Sequence, residues 1–524
     1  MTESVQGLSI IDYAIIAIYL IVIAGIGIWI SIRSKKSTAD YFIANRGVPQ
    51  WAVAFTLMAT LISSNTLVAH PGVVFQKSMI LVPGFLVLPI VLVLVAFFVV
   101  PFYRRVVGLS AYEYIGKRFG FGGRVYTSGG FLIDRTFDTG VTLVTTAVVV
   151  NVITGWAILP VILFTGIFII IYTMIGGIQA VVWTDVVQGI ILMGGGALIL
   201  GILLFSPEAG EPFAVVKEAW SAGKFSFGSA EISFSSLFDT EDRTMWMFMA
   251  AMAIIWSRKY ICDQNMVQRY LIARSDHEAR KATLVGAALS VPILVGFNLV
   301  GACLYGFYEL THAVAPSVRD EIFPHFISNF LPTGVVGLIL AAILAASMSS
   351  ISSDLNSIAT VINKDYFQWF FPNYSDRVRL MAGRLTVLIT GLLAALIAVA
   401  MIPRENSEPI ATKALVIATI ISSGTLGLFL LGFLTKRATR TGAYVGILSC
   451  VMFTLWGIGT SGETPFVDIG VLNFSMNTIL IGIFGQIIVF AVGYVVSLAF
   501  GGYRPEDCEN LVFRLNRKVD DFQN

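Results

Sequence analysis

A chain of 524 residues that is 56% hydrophobic and only 13% charged, with a mean hydropathy of +0.82, is too apolar for a soluble multidomain protein and is expected in a lipid bilayer. Its net charge of +2 implies no nucleic-acid partner, because the basic residues are distributed by topology. The four cysteines, Cys262, Cys303, Cys450 and Cys508, lack metal-ligand spacing and call for no disulfide framework.

Apolar runs of spanning length, roughly 20 residues each, recur near 10–32, 51–75, 81–102, 125–153, 157–178, 181–205, 245–264, 282–311, 333–362, 380–402, 411–434, 441–460 and 475–499. The expected fold is therefore an all-α polytopic membrane protein of about 13 transmembrane helices. The first run is too long for a signal-peptide core and has no basic residue before it, so it reads as a retained helix. With the N-terminus outside, the segments 33–50, 103–124, 265–281, 363–379, 435–440 and 501–524 are cytoplasmic and hold about 23 of the 34 Lys and Arg. The longest outer segment, 206–244, carries more acid than base, and the tail with Arg504, Arg514, Arg517 and Lys518 ends inside. No appended output domain is expected, and a monomer suffices.

The second run contains LMATLISSNTLVAHPG, where Ser63, Ser64, Asn65 and Thr66 interrupt apolar sequence and Pro71-Gly72 is expected to close it. Unwinding there would free carbonyls such as those of Ala59 and Ile62, which survives in lipid only beside a cavity. The alternative is a helix bent by hydroxyls bonding back one turn. His70 reads as a structural hydrogen-bonding group. In the fourth run, Arg135 lies between Asp134 and Asp138. It either grips a solute carboxylate in bidentate fashion or pairs internally with a neighbouring Asp.

Between the fifth and sixth runs, Gly176-Gly177 forms a natural turn, and Asp185 follows inside the apolar zone. An intramembrane carboxylate is a functional candidate, although an early-helix Asp is also favoured by the helix dipole. The Gly-rich run Met193–Gly196 reads as close helix packing rather than a phosphate loop. In the seventh run, Asp263, Gln264, Asn265 and Gln268 break the apolar pattern as Ser63–Thr66 do in the second. Paired interruptions mark an inverted repeat with a site near the midplane. Arg258 and Lys259 read equally well as gate residues or as partners of nearby carboxylates.

In AAILAASMSSISSDLNSIATVINKDY, Ala346, Ser349, Ser350, Ser353 and Ser357 share one helical face. Hydroxyls and freed carbonyls suit a small hard cation, sodium rather than a transition metal.

The strings YTxxGGxxAVxWTDxxQ (Tyr172–Gln188) and DQxxxQR (Asp263–Arg269), together with Tyr112–Phe119 and Ala341–Tyr366, resemble the sodium/solute symporter family over residues 10–500. The resemblance implies the leucine-transporter fold, two inverted five-helix repeats working by alternating access. It implies the divisions 1–50 (extra helix and cytoplasmic loop), 51–205 (first repeat), 206–244 (extracellular loop), 245–434 (second repeat) and 435–524 (two extra helices and tail). A conserved sodium site would use carbonyls of Ala59, Ile62 and Ala346 with the hydroxyls of Ser349 and Ser350. A second, present in some members, would use Asp185, Ser349, Ser352 and Ser353. Solute would lie near Ser63, Asn65, Thr66, Asp263 and Asn265. The Gln or His that sugar-transporting members carry around position 66 is missing, whereas Arg135 matches an arginine that contacts the carboxylate in sialic-acid-transporting members. Sodium-driven import of a sugar acid or other organic anion across the cell membrane is thus expected. A solute sensor without net flux is a competing reading. An integral membrane enzyme built on Asp134-x-x-x-Asp138 is another, weakened by the absence of a second acidic cluster.

Overall fold

The computed structural model describes residues 8–33, 37–231, 244–402, 423–461, 465, 467–501 and 510–513. Cys508, the cationic tail residues and part of the expected 411–434 span lie outside these, as does the side chain of Asn65. The described residues form a helical bundle, in which nine helices are long and apolar enough to cross a membrane, or ten counting one bent pair. The leucine-transporter architecture implied by the motifs is the one adopted.

Helix α1 (Ile10–Arg33) packs against α8 (Ile158–Leu204) and α13 (Val335–Val361). Asp12 on α1 accepts hydrogen bonds from the backbone N–H groups of Gly334 (2.9 Å) and Gly337 (2.7 Å), capping the start of α13. A short helix, α2 (Thr38–Ile43), leads to α3 (Gln50–Leu61) and α4 (Ser64–Gln76), which meet at a 54° bend. The break is at Ile62 and Ser63, both extended. Pro71-Gly72 does not close the run as expected but lies inside α4. Gly72 serves packing instead, since a Cβ there would sit 2.4 Å from the carbonyl oxygen of Arg319.

The next spans are α5 (Val82–Val106) and, after the short α6 (Tyr112–Phe119), the long α7 (Phe121–Thr154). α8 is two spans joined at Gly177, whose φ of 59° suits glycine and whose added Cβ would meet the Tyr41 ring at 2.6 Å. Gly195 packs closely on Ala342 of α13. The seventh span breaks at Asp263 into α9 (Met245–Cys262) and α10 (Gln264–Ile272), the counterpart of the α3–α4 break. α11 (Asp276–Thr311), α12 (Ile322–Phe330), α13, α14 (Asp376–Ala400), α15 (Thr425–Leu434), α16 (Arg440–Thr460) and α17 (Ile479–Phe500) follow. Cys262, Cys303 and Cys450 are buried and unpaired.

Candidate functional site

The break between α3 and α4 places backbone polar groups where the serine face of α13 can meet them. The last carbonyls of α3 lack the i+4 donors that a continuing helix would supply. One of these neighbours, the Ile62 carbonyl in the extended link, accepts a hydrogen bond from the Ser350 hydroxyl at 3.4 Å. One turn along this face, Thr60 and Ser353 are joined through their hydroxyls at 3.2 Å, and a turn further Ser357 donates to Gln268 of α10. Ala59, Ala346, Ser349 and Ser350 are all buried. The Ala346 carbonyl is in mid-helix, so only its second lone pair is free for an ion.

Asp185, on the second arm of α8, reaches the same face. Its carboxylate accepts from Ser349 Oγ at 2.5 Å and from the Thr56 hydroxyl. It also faces the Arg269 guanidinium at 3.4 Å, with both side chains fully buried. Arg269 was singled out in sequence only as part of a motif, and its pairing with Asp185 links residues 84 positions apart. Ser352 donates to the Ser349 carbonyl at 3.1 Å. The residues of the second candidate ion site therefore bring a carboxylate and, beside it, a guanidinium to the serine face.

The solute candidates divide into two groups. Ser63 and Thr66 are half-buried at the α3–α4 link, and Ser64 between them bonds to Thr146 of α7 at 3.0 Å. Arg135, Asp263 and Asn265 come together around a carboxylate that sequence reasoning passed over, Asp354. The Asn265 amide donates to Asp354, Thr139 donates to it at 3.3 Å, and Arg135 lies 3.7 Å away. Arg135 donates to Asp134 and Asp138 at 2.8 Å each and approaches Asp263 at 3.8 Å. The internal pairing of Arg135 is thus present, with both neighbours at once. Arg258 pairs with Asp134 at 3.6 Å, and Asp263 caps α10 through the N–H of Asn265. Of the described carboxylates around Arg135, Asp138 alone is open, its side chain 49% exposed. A cavity of about 20 Å³ lined by Asp134, Arg258 and Asp263 borders the cluster, room for about one water. His70 forms no hydrogen bond through Nδ1, contrary to expectation, and stacks on Phe85 instead.

Two broken helices, a serine-rich helix crossing one break and charged side chains clustered at the other define a membrane carrier of ions and polar solutes. The family model described as the sodium:solute symporter family matches residues 41–449, and the chain belongs to that family. It is 29% identical over 499 residues to the sodium/sialic acid symporter NanT of Aliivibrio fischeri, covering 94% of each chain. It is 31% identical to the sodium/sialic acid symporter SiaT of Proteus mirabilis over 477 residues, 90% of this chain and 94% of that one. Its fold matches a substrate-bound, outward-open Na+-coupled sialic acid symporter with a TM-score of 0.84 at 27% identity, covering 95% of this chain and 99% of the other.

Proposed function

We propose that this chain is a sodium-driven symporter that imports an organic anion, with a sialic-acid-like sugar acid as its solute class. The observation that carries the ion half is the junction of the Ile62 carbonyl, released by the helix break, with the Ser350 hydroxyl of α13. Oxygen groups freed from regular helix and held in a dry site can replace the hydration shell of sodium. The first sodium is assigned to the carbonyls of Ala59, Ile62 and Ala346 and the hydroxyls of Ser349 and Ser350. A second is assigned to Asp185, Ser349, Ser352 and Ser353. The sugar-acid class rests on similarity to the sialic acid symporters along nearly the whole chain and on Arg135 beside the exposed Asp138. A solute carboxylate would take the place of Asp138 on the guanidinium, while Ser63, Asn65, Thr66, Asp263 and Asn265 hold the polar remainder.

In this reading, residues 51–205 and 245–434 are the two repeats that rock against each other. Residues 1–50, 206–244 and 435–524 are the appended segments, and the protein works as a monomer in the plasma or inner membrane with its N-terminus outside and its tail in the cytoplasm. The test is uptake into proteoliposomes of labelled sialic acid, glucose and a monocarboxylate, each under an inward sodium or potassium gradient. Sialic acid accumulating only in sodium is the expected result; uptake of the neutral sugar alone, or uptake indifferent to sodium, overturns the solute or the coupling assignment respectively.

A further inference from the structure

Arg269 stands inside the ligand set assigned to the second sodium. Its Nη2 donates to Ser353 Oγ at 2.5 Å and faces Asp185 at 3.4 Å. Its Nε donates at 3.1 Å to Thr56, the threonine that also bonds Asp185. Two of the four assigned ligands therefore already contact a cation, and that cation belongs to the protein. A guanidinium and a sodium ion within about 4 Å of each other in a buried site repel strongly, because little water screens them. The carboxylate provides one negative charge, enough to neutralise one of the two.

The position of this guanidinium is set by α10. Nη1 donates to the carbonyl of Asn265 in the preceding turn at 2.7 Å, so the head group is tied to its own helix. Asp185 belongs to α8, and Ser349 and Ser353 to α13. Displacement of α10 relative to these two helices would draw the arginine away and leave the carboxylate and hydroxyls behind. Asn265, at the start of α10, bonds Asp354 in the Arg135 cluster, so the helix that carries the internal cation also touches the solute region.

We propose that Arg269 is a built-in counter-cation for Asp185 that competes with sodium, so that sodium occupies the second site only as α10 withdraws the guanidinium. Arg269 is then a positioning residue that couples the second ion to the solute region through the half-helix behind the Asp263 break. The inference rests on the assignment of the second site made above.

The experiment is equilibrium sodium binding to the full-length purified protein, read by 22Na+ retention and by the sodium-dependent rise in melting temperature. It compares the wild type, Arg269→Gln, Arg269→Lys, Asp185→Asn and the double variant Asp185→Asn with Arg269→Gln, in sodium and in N-methylglucamine. Arg269→Gln is expected to bind the second sodium at least about tenfold more tightly, and to melt lower than wild type without sodium while regaining more on its addition. The double variant is expected to lose that gain. Should Arg269→Gln fail to fold, Arg269→Lys decides, since it keeps the charge but loses the planar fork that grips Thr56, Ser353 and Asp185; its affinity is expected to rise by less. Unchanged or weaker sodium binding in whichever variant folds overturns the proposal. A double variant that keeps the whole gain of Arg269→Gln overturns the second-site assignment itself.

Discussion

Two of the buried arginines, Arg269 and Arg135, meet aspartates in opposite ways. Arg269 is fully enclosed, and its donors go to one backbone carbonyl, two hydroxyls and one equally buried carboxylate. Arg135 holds Asp134 and Asp138 at equal distances, and Asp138 is half in solvent. Sealed charges are held by the desolvation cost of separating them, whereas a charge with one wet partner can exchange it for another anion at small cost. The first arrangement suits control of an ion and the second suits recognition of a solute.

The largest expected effect separates the two arginines most sharply. Arg269→Ala strands the Asp185 carboxylate and should lower stability by about 3–5 kcal/mol, read as the melting transition in detergent without sodium. Arg135→Ala should abolish uptake of an acidic solute while lowering stability by only about 1.5–3 kcal/mol, because Asp134 keeps Arg258, Asp354 keeps Asn265 and Thr139, and Asp138 keeps water. Equal melting losses in the two variants would erase the contrast. Ser350→Ala removes one neutral ligand and should weaken sodium activation of uptake by about 0.5–1.5 kcal/mol, some two- to tenfold. Sodium dependence that stays unchanged would remove Ser350 from the first site. The smallest effect is expected from Asp138→Asn, which removes the exposed competitor for Arg135. The KM for an acidic solute should fall up to about fivefold, the worth of one exposed ion pair, with no such fall for a neutral analogue; a rise would mean that Asp138 itself holds the solute.

Much of this architecture is local and therefore readable from sequence. The breaks at Ile62–Ser63 and Asp263 show as polar interruptions of apolar runs, and the bend at Gly177 shows as a glycine pair. The shared face of Ser349, Ser350, Ser353 and Ser357 follows from helical periodicity alone, and their partners on α3, α8 and α10 all lie on that side. Pro71-Gly72 misleads because here the proline is carried inside α4 without ending it, while its glycine neighbour packs against the backbone of Arg319. Pairing between distant segments is not periodic, so neither the Asp185–Arg269 contact nor the reach of Asn265 to Asp354 has a local signature. Asp354 did have a signal, being an intramembrane carboxylate four residues beyond Ser350.

The cap that Asp12 places on Gly334 and Gly337 assigns mechanical roles. An α13 whose first turn is clamped by a carboxylate from α1 resists fraying and axial sliding at that end. If the α13 serines hold sodium as proposed, they behave as a stator, and access to either side of the membrane is switched by what moves past them, the hinged halves at Ile62–Ser63 and Asp263 being the rotor.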